Sequence, residues 1–173
     1  MTRLYKELYK MKNLIRRGWL LRDLSHPSGR VESDAEHTFS CCLLALEIMG
    51  KEKLTLNKEK VLRILLCHDL CEIDAGDCTP IDNVSPQEKH EKELACVERL
   101  SKQCDLEFIK DAWNEFEQQQ TAEAKFAKAI DKLDGVLQCK IYCENGDPSA
   151  FEEFYQNALP YIKDYVKYID FEW

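Results

Sequence analysis

His68 and Asp69 stand side by side in the apolar run Leu65-Leu66-Cys67-His68-Asp69-Leu70-Cys71, with Glu72 directly after it. Burying adjacent ionisable groups is costly unless something compensates them, and a divalent cation is the strongest partner available. An imidazole nitrogen beside a carboxylate oxygen suits Mn²⁺, Fe²⁺, Co²⁺, Ni²⁺ or Zn²⁺ better than Ca²⁺. If the run is one continuous helix from Lys58 to Cys71, Glu72 shares the flank of His68 and Asp69 at helical spacing. The plainer alternative is a core histidine held by a neighbouring acid. His37, in Glu36-His37-Thr38-Phe39, is a second imidazole on an apolar helix face, followed by Cys41, Leu44 and Ile48. The other two of the four histidines, His26 and His90, stand in polar surroundings. A further carboxylate is expected from Ala129-Ile130-Asp131-Lys132-Leu133-Asp134-Gly135. Periodicity slightly favours Asp134 and sets Asp131 on the flank, and both stay open at this point.

These residues need helices to position them, and nearly the whole chain reads as helix. Leu4, Leu8, Met11, Leu14 and Ile15 form a stripe at helical spacing, with Gly18 as the stop. Ser25 to Val31 reads as a loop, and Ser33 or Asp34 caps a helix running to about Met49, closed by Gly50. Asn57 caps the next helix. Glu72 to Pro86 is rich in turn residues and reads as a loop with at most a short helical turn. Helices over about 87–102 and 106–118 follow, then a long one from Thr121 to about Glu144, broken by Asn145-Gly146-Asp147-Pro148 and followed by two short helices. No useful β-alternation or repeat interrupts this order. The expectation is an all-α, single-domain helical bundle over residues 1–173.

The chain has 173 residues, 45% of them hydrophobic and 32% charged, enough for one soluble domain with a real core. No apolar run approaches the roughly 20 residues of a membrane span, and the N-terminus lacks a signal-peptide core, so a cytoplasmic location is expected. Its nine cysteines then read as reduced core fillers. The pairs Cys67/Cys71 and Cys139/Cys143 lack the usual spacing of a structural zinc site. A net charge of −8 argues against a nucleic-acid polymer as partner but leaves room for a small phosphorylated substrate.

The order His37 … His68-Asp69 … Asp131 resembles the metal signature of the HD-domain phosphohydrolase superfamily. Arg17-Gly18-Trp19, Glu32-Ser33-Asp34-Ala35-Glu36-His37, Gly76-Asp77-Cys78-Thr79-Pro80 and Lys128-Ala129-Ile130-Asp131-Lys132 extend the likeness toward the HD-domain 5′-deoxynucleotidases. That resemblance implies removal of phosphate from deoxyribonucleoside 5′-monophosphates by a homodimer. It also implies cobalt, manganese or a similar divalent ion on His37, His68, Asp69 and Asp131, and so selects Asp131 over Asp134. Within such a site Glu72 would position or deprotonate water, and Arg17 would grip the phosphate bidentately. Trp19 would wall the sugar or base, or else serve as a buried anchor, and Asp77 and Thr79 would reach the deoxyribose. Arg22 and Arg30 read as further phosphate contacts or solvated charges, and a glutamate of Trp113-Asn114-Glu115-Phe116-Glu117 as a neighbour of the site. The rival readings are another HD-type phosphodiesterase or alarmone hydrolase, and a non-catalytic metal-binding protein.

Overall fold

The computed structural model describes residues 2–26, 28–79, 82–144 and 149–169; Pro80 and the expected break at 145–148 lie outside them. Among the described residues nine α-helices follow in order: α1 (Arg3–Asn13), α2 (Arg17–Leu20), α3 (Asp34–Lys51), α4 (Lys58–Cys67), α5 (Glu72–Ala75), α6 (Pro86–Cys104), α7 (Phe108–Gln118), α8 (Ala122–Cys143) and α9 (Ser149–Ile162). The chain is all-α, as expected. A 3₁₀ segment, Lys163–Tyr168, takes the place of the second short terminal helix.

Side-chain caps set most helix starts. Ser33 and Glu36 form a reciprocal capping box at α3, while Asn57, Ser85 and Thr121 each accept a backbone N–H at the start of α4, α6 and α8. Three expected boundaries are corrected. Gly50 lies inside α3, which runs on to Lys51. Gly18 lies inside the short α2; the first helix ends earlier because Ile15 pairs with Ser33 in an isolated antiparallel bridge. The third concerns the His-Asp step itself: α4 stops at Cys67, and residues 68–71 form tight turns before α5 begins at Glu72. Gly76, at φ 76°, ends α5 in a conformation that disfavours side chains with a Cβ.

Two apolar clusters hold the bundle together. The larger joins α3, α4, α8 and α9 through Ile48, Ile64, Leu65, Ile130, Leu133 and Ile162. The smaller joins α1 and α4 to α7 through Met11, Leu70, Val97, Leu100, Ile109 and Trp113. His68 and Asp69 sit between Leu65 of one cluster and Leu70 of the other. Their turn is therefore anchored on both sides.

Candidate metal centre

His37 projects from the first turn of α3 and is fully buried. Its Nδ1 donates to Asp134 Oδ2 at 2.7 Å, and the Ser40 hydroxyl donates to the other oxygen of that carboxylate at 2.6 Å. This leaves Nε2 facing Asp131 Oδ1 at 3.4 Å and Asp69 Oδ2 at 3.7 Å. His68 Nδ1 donates to the Leu65 carbonyl at 2.6 Å. Its Nε2 is buried and makes no hydrogen bond, although Asp69 Oδ2 lies only 3.1 Å away. A ring whose other nitrogen carries the proton presents a lone pair there, so lone pair faces carboxylate. A cation resolves that opposition. One donor atom each from His37, His68 and Asp69 falls within 4.8 Å of the others, a spacing that can hold an ion. The donor set and the orphaned His68 nitrogen both fit a transition-metal ion.

The two aspartates of α8 thus play different parts. Asp131 faces the same side of His37 as Asp69; Asp134 holds the opposite ring nitrogen, which fixes ring orientation and tautomer. Cys41 Sγ also lies 3.6–3.7 Å from the His37 ring nitrogens, but burial pushes its thiol up to about 12. It packs there as a neutral group.

The surrounding charges are unbalanced toward the negative. Arg16 stands among Asp69 at 3.4 Å, Glu32 at 3.6 Å and Asp34 at 3.7 Å. Burial opposes the ionisation of Asp69, but the groups beside it, the two histidine rings and the Arg16 guanidinium, hold its carboxyl well below the usual range. Asp131 is likewise held low against burial by Lys132, His37 and Lys128. Glu72 goes the other way: burial, then the charges of Asp69, Asp34 and Asp77, push its carboxyl well up. Burial and Asp69 raise Asp34 to about 7. Neither oxygen of Asp34, nor Glu72 Oε2, has a hydrogen-bond partner.

A cavity of about 440 Å³ opens over this cluster, lined by Arg16, His68, Asp69, Glu72, Asp131 and the two lysines Lys128 and Lys132. Asp77 also borders it, with Oδ2 accepting from the Gly18 N–H at 3.3 Å. Thr79 borders an adjoining lobe, its N–H and hydroxyl both donating to Asp82. Glu117 of the acidic block lines the main cavity, whereas Glu115 is bound to Lys60 at 2.6 Å.

Two expected contacts are not brought together. Arg17 turns outward to Asp82 at 3.0 Å, its side chain 49% exposed, and borders neither lobe. The physical reason is the change of backbone between them: Arg16 ends the extended segment held to Glu32 and Ser33, whereas Arg17 is the first residue of α2, so their side chains leave in different directions and Arg16 is the one turned inward. Trp19 is a buried anchor and not a wall: it donates to Glu32 Oε1 at 2.9 Å, stacks on Phe154 and borders neither lobe. Arg30 bonds the exposed Glu36. Sequence reading missed Arg16, Lys128 and Lys132 as cavity residues. The signals were a doubled arginine and the two lysines flanking Asp131.

The fold and this histidine–aspartate cluster define an HD-domain protein, and the chain belongs to that family, whose model matches residues 8–168. It is similar to the 5′-deoxynucleotidase HDDC2 of Xenopus laevis, 34% identical over 158 residues that span 89% of this chain and 75% of the relative. The human protein of the same name is 30% identical, over 86% of this chain and 72% of its own length. A solved structure from Magnetospirillum magnetotacticum, described as a predicted metal-dependent phosphohydrolase, superposes with a TM-score of 0.71 at 30% identity, over 92% of this chain and 80% of that one. A conserved hypothetical protein from Pyrococcus furiosus shares the fold at a TM-score of 0.75 and 24% identity, over 95% and 91% of the two chains.

Proposed function

We propose that this chain, as a single HD domain, hydrolyses deoxyribonucleoside 5′-monophosphates to deoxynucleoside and phosphate. The observation that carries the reading is the buried His68 Nε2 opposed to Asp69 at the floor of a cavity walled by Arg16, Lys128 and Lys132. The names of the relatives supply the substrate class. In this reading His37, His68, Asp69 and Asp131 hold a divalent ion, cobalt, manganese or a similar transition metal. Such an ion acidifies water and neutralises charge on the phosphoryl oxygens.

The chain's own groups do the rest. Asp134 keeps the His37 ring turned toward the ion. Arg16 takes the phosphate-gripping role first given to Arg17, since a guanidinium matches two phosphate oxygens at once. Lys128 and Lys132 add charge beside Asp131 at 3.6 and 3.2 Å. Glu72, buried at the cavity wall, accepts the proton of the attacking water; its raised proton affinity suits that task. Asp77 and Thr79 meet the deoxyribose.

Two further parts of the reading concern setting. Phe39, Leu43 and Leu46 leave an apolar stripe exposed along α3, which supports a homodimer through that face. No helix among the described residues is long and apolar enough to cross a membrane, and all nine cysteines are free, which suits the cytoplasm.

The test is phosphate release from deoxy- and ribonucleoside monophosphates by metal-stripped protein reloaded with Co²⁺ or Mn²⁺. Turnover of deoxynucleoside monophosphates is expected. Activity on diesters but not monoesters would replace it with a phosphodiesterase, and equal turnover of ribonucleotides would remove the sugar selectivity.

A further inference from the structure

His37 belongs to two groups of donors. One is the cluster with His68 and Asp69; the other joins it to Cys41 and Asp134, whose ligand atoms also lie within 4.8 Å of one another. The second group stands on rigid elements. His37 and Cys41 are one turn apart on α3, so they share a face, and Asp134 comes from α8. The Ser40 hydroxyl donates to the other oxygen of Asp134 at 2.6 Å and steadies the carboxylate. His37 and Cys41 are fully buried and Asp134 nearly so. Cys41 and Asp134 border neither lobe of the cavity, so this group is closed to a substrate and open only to an ion.

The spacing suits such an ion. A tetrahedral metal with nitrogen at about 2.1 Å and thiolate sulfur at about 2.3 Å holds those two atoms about 3.6 Å apart. Cys41 Sγ stands 3.7 Å from His37 Nδ1. Asp134 Oδ2, hydrogen-bonded to that nitrogen at 2.7 Å, has only to withdraw to about 3.3 Å. The two groups also differ in softness. Imidazole with carboxylates accepts Mn²⁺ or Co²⁺, whereas a thiolate in the set favours zinc and its heavier congener cadmium. An ion on the Cys41 side takes the Nδ1 lone pair of His37. The Cys41 thiol proton leaves to solvent, and the ring proton moves from Nδ1 to Nε2. Nε2 then donates to Asp131 or Asp69 and keeps no lone pair for an ion between them.

We infer that His37, Cys41 and Asp134 form a second, thiophilic metal site, whose occupation by Zn²⁺ or Cd²⁺ switches off the first by withdrawing His37 from it. The inhibition rests on the proposed role of His37 in hydrolysis; the ion site itself does not.

The probe is ¹¹³Cd²⁺, added in slight excess to the metal-free wild-type chain. Its NMR shift separates an ion with one sulfur ligand from one held by nitrogen and oxygen alone. It also separates both from a two-sulfur ion, which Cys139 and Cys143 could hold with their sulfurs 3.8 Å apart. A one-sulfur resonance that is lost in Cys41→Ala supports the site. No such resonance in the wild type, or one that persists in the variant, overturns it. Scalar coupling from ¹¹³Cd to the Cys41 β-protons and the His37 ring protons makes the same assignment without a variant, and coupling to another cysteine overturns it. Phosphate release with Mn²⁺ then reads the consequence. Preincubation with Zn²⁺ or Cd²⁺ should inhibit slowly and resist excess Mn²⁺, because buried ligands must open to admit the ion. Relative to each protein's own Mn²⁺ rate, Cys41→Ala should raise the half-inhibiting concentration at least about 10-fold, the lower end for groups that only support metal ligands. Inhibition that excess Mn²⁺ relieves, equal in variant and wild type, overturns the switch. If the wild type hydrolyses no nucleotide, the proposed activity falls by itself and the cadmium resonance still decides the site.

Discussion

Arg16 and Arg99 are each ringed by carboxylates, yet the two surroundings differ in kind. Arg99 joins α1, α5 and α6 through Asp74 at 2.6 Å, Gln103 at 2.8 Å and Glu7 at 3.1 Å. Its bonds to oxygen are all short, and the acids are matched by the donors. Around Arg16 the contacts stretch to 3.4–3.7 Å, and Asp34, Glu72 and His68 keep buried polar atoms with no partner. Buried polar groups are normally satisfied, so an under-satisfied cluster inside a well-capped bundle marks a place organised for something besides the chain. One arginine network holds helices together; the other is short of positive charge.

The largest effect should come from removing a carboxylate that would draw the missing positive charge in. Asp69→Ala removes the carboxylate that faces both histidine rings, and should abolish bound cobalt or manganese, measured by elemental analysis. Its loss in kcat/KM should exceed the about 10–100-fold attached to groups that only support metal ligands. Metal retained at the wild-type level would remove Asp69 from the ligand set.

Arg16→Lys against Arg17→Lys sharpens the contrast between neighbours. Lysine keeps the charge and loses the planar fork, so the Arg16 variant should lose about 10- to 100-fold in kcat/KM, the worth of a hydrogen bond to a charged group. Arg17→Lys should change it by less than about 2-fold, because exposed pairs such as Arg17–Asp82 contribute little. The reverse order would restore Arg17 to the phosphate.

These neighbours also show where sequence reading stops. The caps at Ser33, Asn57 and Thr121, the all-α class and the apolar helix faces that carry His37 and His68 follow from residue types and spacing, because cap chemistry and apolar periodicity are local; that His37 meets His68 and Asp69 was implied by the family resemblance. Arg16 and Arg17 fall on either side of a boundary, the end of an extended segment and the start of α2, and that boundary is set by the segment's pairing with Glu32–Asp34 across the fold. Asp131 and Asp134 are three residues apart on one helix and both nearly buried; what separates them is which nitrogen of His37 each meets. The end of α4 was hidden as well. The apolar run continues past Cys67 and His68 keeps helical dihedrals, so the change there lies in the hydrogen bonds, which tighten to three-residue turns from Cys67 to Leu70 and from Asp69 to Glu72.

A stability effect should follow at Asp34. Its carboxyl, raised to about 7, binds a proton in the folded chain over a pH range in which the unfolded chain has released it, so it contributes a loss of stability as pH rises through that range. Asp34→Asn removes the buried charge. In metal-free protein it should raise Tm at pH 8 by at least roughly 2–4 °C, the equivalent of about 1 kcal/mol at this chain length. The gain should shrink toward pH 5, where Asp34 is already protonated in the fold. A lower Tm at pH 8 would mean that Arg16 needs the Asp34 charge.

The smallest effect belongs to the balanced network. Burial opposes ionisation of Glu7 and Asp74, but bonds from Lys10 and then Arg99 at Glu7, and from Arg99 and then Cys96 at Asp74, hold both carboxyls below the ordinary range. A depressed folded pKa gives stability that is present above the unfolded values, near 4, and lost as pH falls through the folded ones. Arg99→Gln should therefore cost only about 0.2–1 kcal/mol at pH 7, given the partial exposure of the cluster. Denaturant midpoints measured from pH 7 down to pH 3 should show the difference from wild type closing with acidification, with metal binding and kcat unchanged throughout. A difference that grows toward acid would show that Arg99 is held by packing against α1 and α5 and not by its carboxylates.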